Sequence, residues 1–198
     1  MSAAVSRKPR ATLADWKRLT EDGHVVELID GEIVEQSMGR PEHGRPQLKI
    51  GELLGPFNRR SGGPKGPGGW WLMSEVDIQY PKTEEIYRHD ASGFRRDIYE
   101  SPPTGNPTRD LPQWVCEILS KSTARVDLVK KQRSLHLHGI AHYWILDPEH
   151  GTLTVHRHHA DGYIVVATGG VGDVIRAEPF DAIELDVGEF FGHDPVER

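Results

Sequence analysis

Cysteine is almost missing from the 198 residues: a lone Cys116 excludes an internal disulfide and any zinc site built on thiolates. Inside an apolar run it reads as a packed thiol, not a nucleophile. Long apolar stretches are missing as well. No run is long enough to cross a membrane, and Met1 to Arg10 has no apolar signal core, so a cytoplasmic protein is expected, with no membrane partner. Positive charge is in deficit: 24 Lys and Arg stand against 30 Asp and Glu, for a net charge of -6. That argues against a protein that coats nucleic acid non-specifically. It does not exclude a nuclease, because a carboxylate metal site itself adds negative charge. With 36% hydrophobic residues the chain can bury a real core, and one domain is the default. The division expected is a loose basic tail over 1–11, a single domain over 12–192 and a tail over 193–198.

Turn and cap chemistry organises the first half. Thr12 caps a short helix in which Leu13, Trp16 and Leu19 share a face, and Gly23 ends it. Val25 to Ile29 and Glu32 to Glu35 flank Asp30-Gly31, a pair suited to a primed turn, and predict a hairpin. Pro41 opens a second helix with Leu48, Ile50, Leu53, Leu54 and Phe57 as its apolar side. Residues 61–69 form a Gly/Pro loop. It lacks the Lys-Ser/Thr ending of a phosphate-binding loop and reads as a connector. Trp70 to Tyr80 alternates as one strand, with Trp71, Met73, Glu75 and Asp77 on one face. A short strand follows over Ile86 to Asp90, then a small-residue bend at Ala91-Ser92-Gly93 and a surface loop from Tyr99 to Gln113.

The second half centres on Trp114 to Ser120, an apolar run with the pattern of a strand buried on both faces. Glu117 sits in its middle. An ionised carboxylate there costs several kcal/mol unless it is paired or bound to a cation. A helix from about Thr123 to His138 follows, closed by Gly139. Leu128 and Leu135 are placed toward the sheet, and Lys131, three after one and four before the other, shares their stripe. Lys131 is therefore the lysine expected to reach Glu117; the alternative is that it snorkels into solvent. Ala141 to Leu146, Thr152 to His158 and Tyr163 to Thr168 form an antiparallel meander, and a last short strand lies near Ala182 to Leu185. The fold class expected is α/β of the α+β kind: a mixed sheet flanked by helices, with an N-terminal hairpin and the meander.

Asp90 ends its strand just before the bend. An acid there is usually a turn cap. If its strand neighbours that of Glu117, the two carboxylates and a lysine would bind a hard divalent cation, Mg²⁺ or Mn²⁺, and activate a water for attack on phosphate. Glu75 is an auxiliary candidate, with an exposed sheet face as its bland alternative. The eleven histidines do not make a zinc site: His136 and His138 point to different sides of a helix, and His156 and His158 lack a third ligand.

Glu117-Ile118-Leu119-Ser120, Ser122-Thr123-Ala124-Arg125, Asp127, Lys131 and His142-Tyr143-Trp144-Ile145-Leu146-Asp147-Pro148 together resemble the Uma family of restriction-endonuclease-like proteins, a branch of the PD-(D/E)XK nuclease superfamily. The resemblance extends upstream through Glu27-Leu28-Ile29-Asp30-Gly31-Glu32, Pro41-Glu42-His43-Gly44 and Trp70-Trp71, and downstream through Ala177 to Ile183. It implies a metal-dependent phosphodiesterase core, with the first acid on Asp90, the second on Glu117, and the lysine moved to the following helix at Lys131. It also makes His43 an auxiliary site candidate. Three departures stand out: His89 precedes Asp90 where the family commonly has proline, Lys121 stands where proline is common, and the segment Glu84-Glu85-Ile86-Tyr87-Arg88 before Asp90 is more polar than the family pattern.

The resulting expectation is a magnesium-dependent endonuclease acting on DNA, a hydrolase of phosphodiester bonds. Arg95, Arg96, Lys121 and Arg125 are the candidate phosphate contacts. A homodimer suits duplex cleavage, which needs two sites. Two alternatives belong to other classes: a catalytically inert nucleic-acid-binding or interaction module on the same fold, and a phosphodiesterase of small nucleotides.

Overall fold

One bent β-ribbon runs through two different sheets, and the bend is where the acids meet. The computed structural model describes residues 9–36, 41–60, 67–120 and 124–196. The basic tail up to residue 8, the Gly/Pro loop over 61–66, Lys121, Thr123 and the last two residues lie outside the described residues.

Helix α1 (Leu13–Glu21) starts on a full capping box between Thr12 and Asp15 and buries Trp16, whose Nε1–H donates to the Val26 carbonyl at 2.8 Å. Strands β1 (Val26–Ile29) and β2 (Glu32–Glu35) form the expected hairpin. Its turn places Asp30 at φ 54° and Gly31 at φ 77°, the left-handed pair that a primed turn demands. Helix α2 (Pro41–Leu53) packs Ile50 inward, with Leu54 and Phe57 just beyond its end. Leu48, assigned to that inner side, is instead 74% exposed.

Residues 70–80 are not one strand. Trp70–Met73 form β3, Ser74 and Glu75 turn with Glu75 at φ 57°, and Val76–Tyr80 form β4. The return arm breaks at the matching place. Strand β5 (Glu85–His89) ends, Asp90 bends, and Ala91–Arg95 continue as β6, a strand where a small-residue bend is expected. Small side chains suit it, since a Cβ on Gly93 would meet the Trp70 and Trp114 rings at 3.0 and 3.1 Å. The Glu75 N–H donates to the His89 carbonyl at 3.1 Å, so the two bends face each other.

The ribbon's halves enter separate sheets. The smaller has order β2-β1-β5-β4. The larger contains β7 (Trp114–Ile118), β8 (His142–Asp147), β9 (Thr152–His159) and β10 (Gly162–Gly170), in the order β10-β9-β8-β7-β6-β3. Within it β7 and β8 are parallel and the other pairs antiparallel. The parallel pair needs a crossover. It contains a π-helical stretch, Val126–Lys131, running into α3 (Gln132–Leu137), with Gly139 at φ 71° beyond its end. Strands β11 (Val174–Ile175) and β12 (Leu185–Asp186) pair, and α4 (Val187–Phe191) follows.

Three apolar clusters follow from this layering. Trp16, Val26, Leu28 and Ile86 lie between α1 and the small sheet. Ile29, Tyr80, Tyr87, Phe94, Val115, Leu135 and Tyr143 lie between the sheets and α3. Trp114, Trp144, Leu54, Phe180 and Phe190 fill the far side of the large sheet under α2, α4 and the C-terminal segment.

Candidate active site

Asp90 and Glu117 come from adjoining strands. Ala91 pairs with Cys116, so the bend at Asp90 lies beside Glu117, and Asp90 Oδ2 accepts the Ile118 N–H at 2.7 Å. The Asp90 carboxylate thus occupies the place of a ladder partner for the strand that carries Glu117. Its other oxygen lies 3.3 Å from His43 Nε2, in the first turn of α2. Gln47, one turn further on, donates to Glu75 Oε1 at 2.7 Å and to the Asp90 carbonyl at 3.1 Å, clamping both bends of the ribbon.

Glu117 points into the space between the sheets and is 3% exposed. Its Oε1 lies 2.5 Å from His89 Nδ1 and 3.1 Å from Lys131 Nζ. His89 Nε2 lies 2.7 Å from the Tyr80 hydroxyl. Lys131 is 2% exposed and within ion-pair distance of three carboxylates: Glu27 at 3.0 Å, Glu117 at 3.1 Å and Asp127 at 3.3 Å. Glu27 also accepts the Arg88 N–H at 2.7 Å.

Lys131 therefore points inward, but not along the expected stripe. Leu128 is 41% exposed, while Asp127, Lys131 and Leu135 form the buried row. A π-helical turn carries more residues than an α-turn, so phase counted from an α-helix fails across Val126–Lys131.

The electrostatics follow from burial. Burial pushes the Glu117 carboxyl well above the ordinary range against the opposing pull of Lys131, with Asp127, Asp90 and Glu27 adding in the same upward direction. Burial raises Glu27 too. Lys131 is held well above its ordinary value: burial opposes its charge, but Glu117, Glu27, Asp127 and Asp90 outweigh it. Burial and then Lys131 push His89 well down, so its ring is neutral. His43 is pulled up by its bond to Asp90. Three carboxylates thus surround one ammonium, and Asp90 adds to the negative field around it.

That donor set fits a hard divalent cation. Asp90 and Glu117 supply carboxylates from adjoining strands, each within the other's electrostatic reach, and the surplus of acids over cations is what a dication offsets. Among the described residues no group of three or more His, Cys, Asp and Glu side chains is placed to hold a metal. The fit is the open kind, in which one or two carboxylates and waters suffice, as magnesium prefers.

Other expected residues fall elsewhere. Glu75 does not share a face with Asp77, because the bend separates them; Asp77 instead forms a buried fork with Arg88 at 2.8 and 2.5 Å. Arg95 pairs with Asp97. Arg96 lies 3.3 Å from the centroid of the Trp71 ring and donates to the Trp70 carbonyl at 2.8 Å. Arg125 is exposed at the start of the π-helical stretch. None of these arginines converges on Asp90 or Glu117. Glu27, Asp127, His89 and Tyr80 are the cluster members that the sequence reading missed. For Glu27 the signal was present: an acid in the apolar strand Val26–Ile29, the same anomaly as Glu117.

This two-sheet fold is shared with a solved structure from Anabaena variabilis, described as "a putative nuclease belonging to DUF820", at a TM-score of 0.69 and 20% identity, covering 91% of this chain and 97% of that one. No curated protein matches the chain. The Uma2 family, described as "Putative restriction endonuclease", matches residues 12–188, and the chain belongs to it.

Proposed function

We propose that the protein is a metal-dependent endonuclease that hydrolyses phosphodiester bonds in DNA. The observation that supports this reading is the bond from Ile118 N–H to Asp90, which ties the Asp90 carboxylate to the strand that carries Glu117, whose Oε1 lies 3.1 Å from the Lys131 ammonium. Asp90 and Glu117 would hold Mg²⁺ or Mn²⁺. A cation bound there supplies a Lewis acid for the phosphate and lowers the pKa of a bound water. The chain's own residues do the rest. Lys131 fixes Glu117 and places positive charge beside the developing negative charge of the phosphate. In this state its contacts are three carboxylates. To orient the attacking water it must exchange one, and Asp127, the longest at 3.3 Å with an Oδ1 that makes no hydrogen bond, is the one to yield. His43, on the more open side of Asp90, is the side chain best placed to exchange protons with solvent.

The full commitment of Lys131 also favours a second reading: a catalytically inert module in which the same network is structural. Plasmid nicking with Mg²⁺ or Mn²⁺ separates the two. The nuclease reading expects nicking by the wild type and a loss of at least about 100-fold in Glu117→Gln, in line with the removal of a group that acts in the transition state. Equal activity in both proteins would place the cleavage elsewhere, and no cleavage by either leaves the inert module.

A further inference from the structure

We infer that His89 is a positioning residue for Glu117, and that Tyr80 sets the tautomer in which it acts. The inference rests on the nuclease reading of Asp90 and Glu117.

Matching donors to acceptors assigns the hydrogens. Glu117 Oε1 lies 2.5 Å from His89 Nδ1; ionised, as a metal-ligating carboxylate is, Glu117 only accepts, so in that state Nδ1 carries the hydrogen. Nε2 is then an acceptor, and the Tyr80 hydroxyl at 2.7 Å donates to it. The relay runs Tyr80 O–H to His89 Nε2, and His89 Nδ1–H to Glu117 Oε1, with each donor facing one acceptor.

The ring is held for this task. It is fully buried, with the Tyr80 ring edge-on at 5.8 Å and the Tyr87 ring at 5.9 Å. Its backbone is held as well, because the His89 carbonyl accepts the Glu75 N–H at 3.1 Å across the ribbon's bends. His89 is also the residue immediately before Asp90. One residue therefore aims the second acid through its side chain and presents the first acid through its backbone. A hydrogen bond that fixes the orientation of a ligating carboxylate typically changes metal affinity or activity by about 10- to 100-fold when removed. A residue that merely filled space could be replaced by leucine without that effect.

The test uses the whole protein. In the Mg²⁺-bound wild type, ¹⁵N-labelled histidine spectra should show His89 protonated at Nδ1 with a far-downfield proton, and this signal should shift in Tyr80→Phe. Mn²⁺ titration should show half-saturation raised about 10- to 100-fold in His89→Leu. It should return toward the wild-type value in His89→Asn, whose amide N–H replaces Nδ1–H. A wild-type ring protonated at Nε2, or wild-type Mn²⁺ affinity in His89→Leu, overturns the inference while leaving the nuclease reading intact. A wild type that binds no Mn²⁺ overturns both.

Discussion

The two faces of β7 pose opposite physical problems within one five-residue strand. Trp114, Cys116 and Ile118 face an apolar cluster in which the Phe180 ring lies 5.0 Å from Trp114, 5.6 Å from Trp144, 5.2 Å from Trp70 and 4.8 Å from Phe57. Val115 and Glu117 face the other way, and Glu117 enters a cluster of buried charge around Lys131. The first face gains stability from every contact, since apolar burial is non-directional and edge-on aromatic pairs add to it. The second face gains little net stability. A buried ion network loses in desolvation much of what its pairing returns. Such a cluster is better explained by what it can bind.

That contrast is easiest to break with the largest effects. Phe180→Ala removes the ring that touches four others and should cost about 4 kcal/mol, read as a lowered denaturant midpoint. Lys131→Met should cost about 3 kcal/mol, because three acids lose their shared cation. The two should differ in kind: the Lys131→Met loss should shrink at acidic pH, where the acids can protonate, whereas the Phe180→Ala loss should not. Equal pH dependence would mean that the cluster is not held by charge. Glu117→Gln should change stability by no more than about 1 kcal/mol, since an amide oxygen still accepts from His89 and Lys131.

The smallest effect is the most diagnostic. Glu27 and Glu117 have carboxyls raised by burial above their ordinary value of 4.5, so the folded state binds more protons than the unfolded chain. Their contribution to stability is complete below about pH 4.5 and is lost as pH rises through the folded values. His138, His142 and His156 are lowered by burial below their ordinary value of 6.5. Their contribution is complete above about pH 6.5 and is lost as pH falls through the folded values. Denaturant midpoints measured across pH should therefore decline on both sides. Glu117→Gln should flatten the alkaline limb by about 1 kcal/mol and leave the acid limb unchanged. An unchanged alkaline limb would contradict the buried, proton-holding Glu117.

Local chemistry was legible in the sequence. Asp30-Gly31 determines its own turn, Thr12 caps α1, and an apolar run bracketed by polar segments marks β7. Glu117 stood out because it violated the pattern of its strand. What was not legible depended on geometry across distance. Alternation continues unbroken through Ser74 and Glu75, and nothing in those residues announces a positive φ or a change of sheet. The π-helical turn shifted Leu128 outward while leaving Lys131 inward, so a sound residue choice rested on a faulty stripe. His89 reaches Glu117 across 28 positions, and Glu27, on the small sheet, reaches Lys131 in the helical crossover. Such contacts exist only once both sheets are assembled.

The central claim is that Asp90 and Glu117 together hold a divalent cation, and Mn²⁺ binding by calorimetry tests it most directly. The wild type should bind Mn²⁺, and Asp90→Asn and Glu117→Gln should each weaken that binding by at least about tenfold, more than 1.4 kcal/mol. Binding that persists unchanged in both variants, or is absent from the wild type, would contradict it.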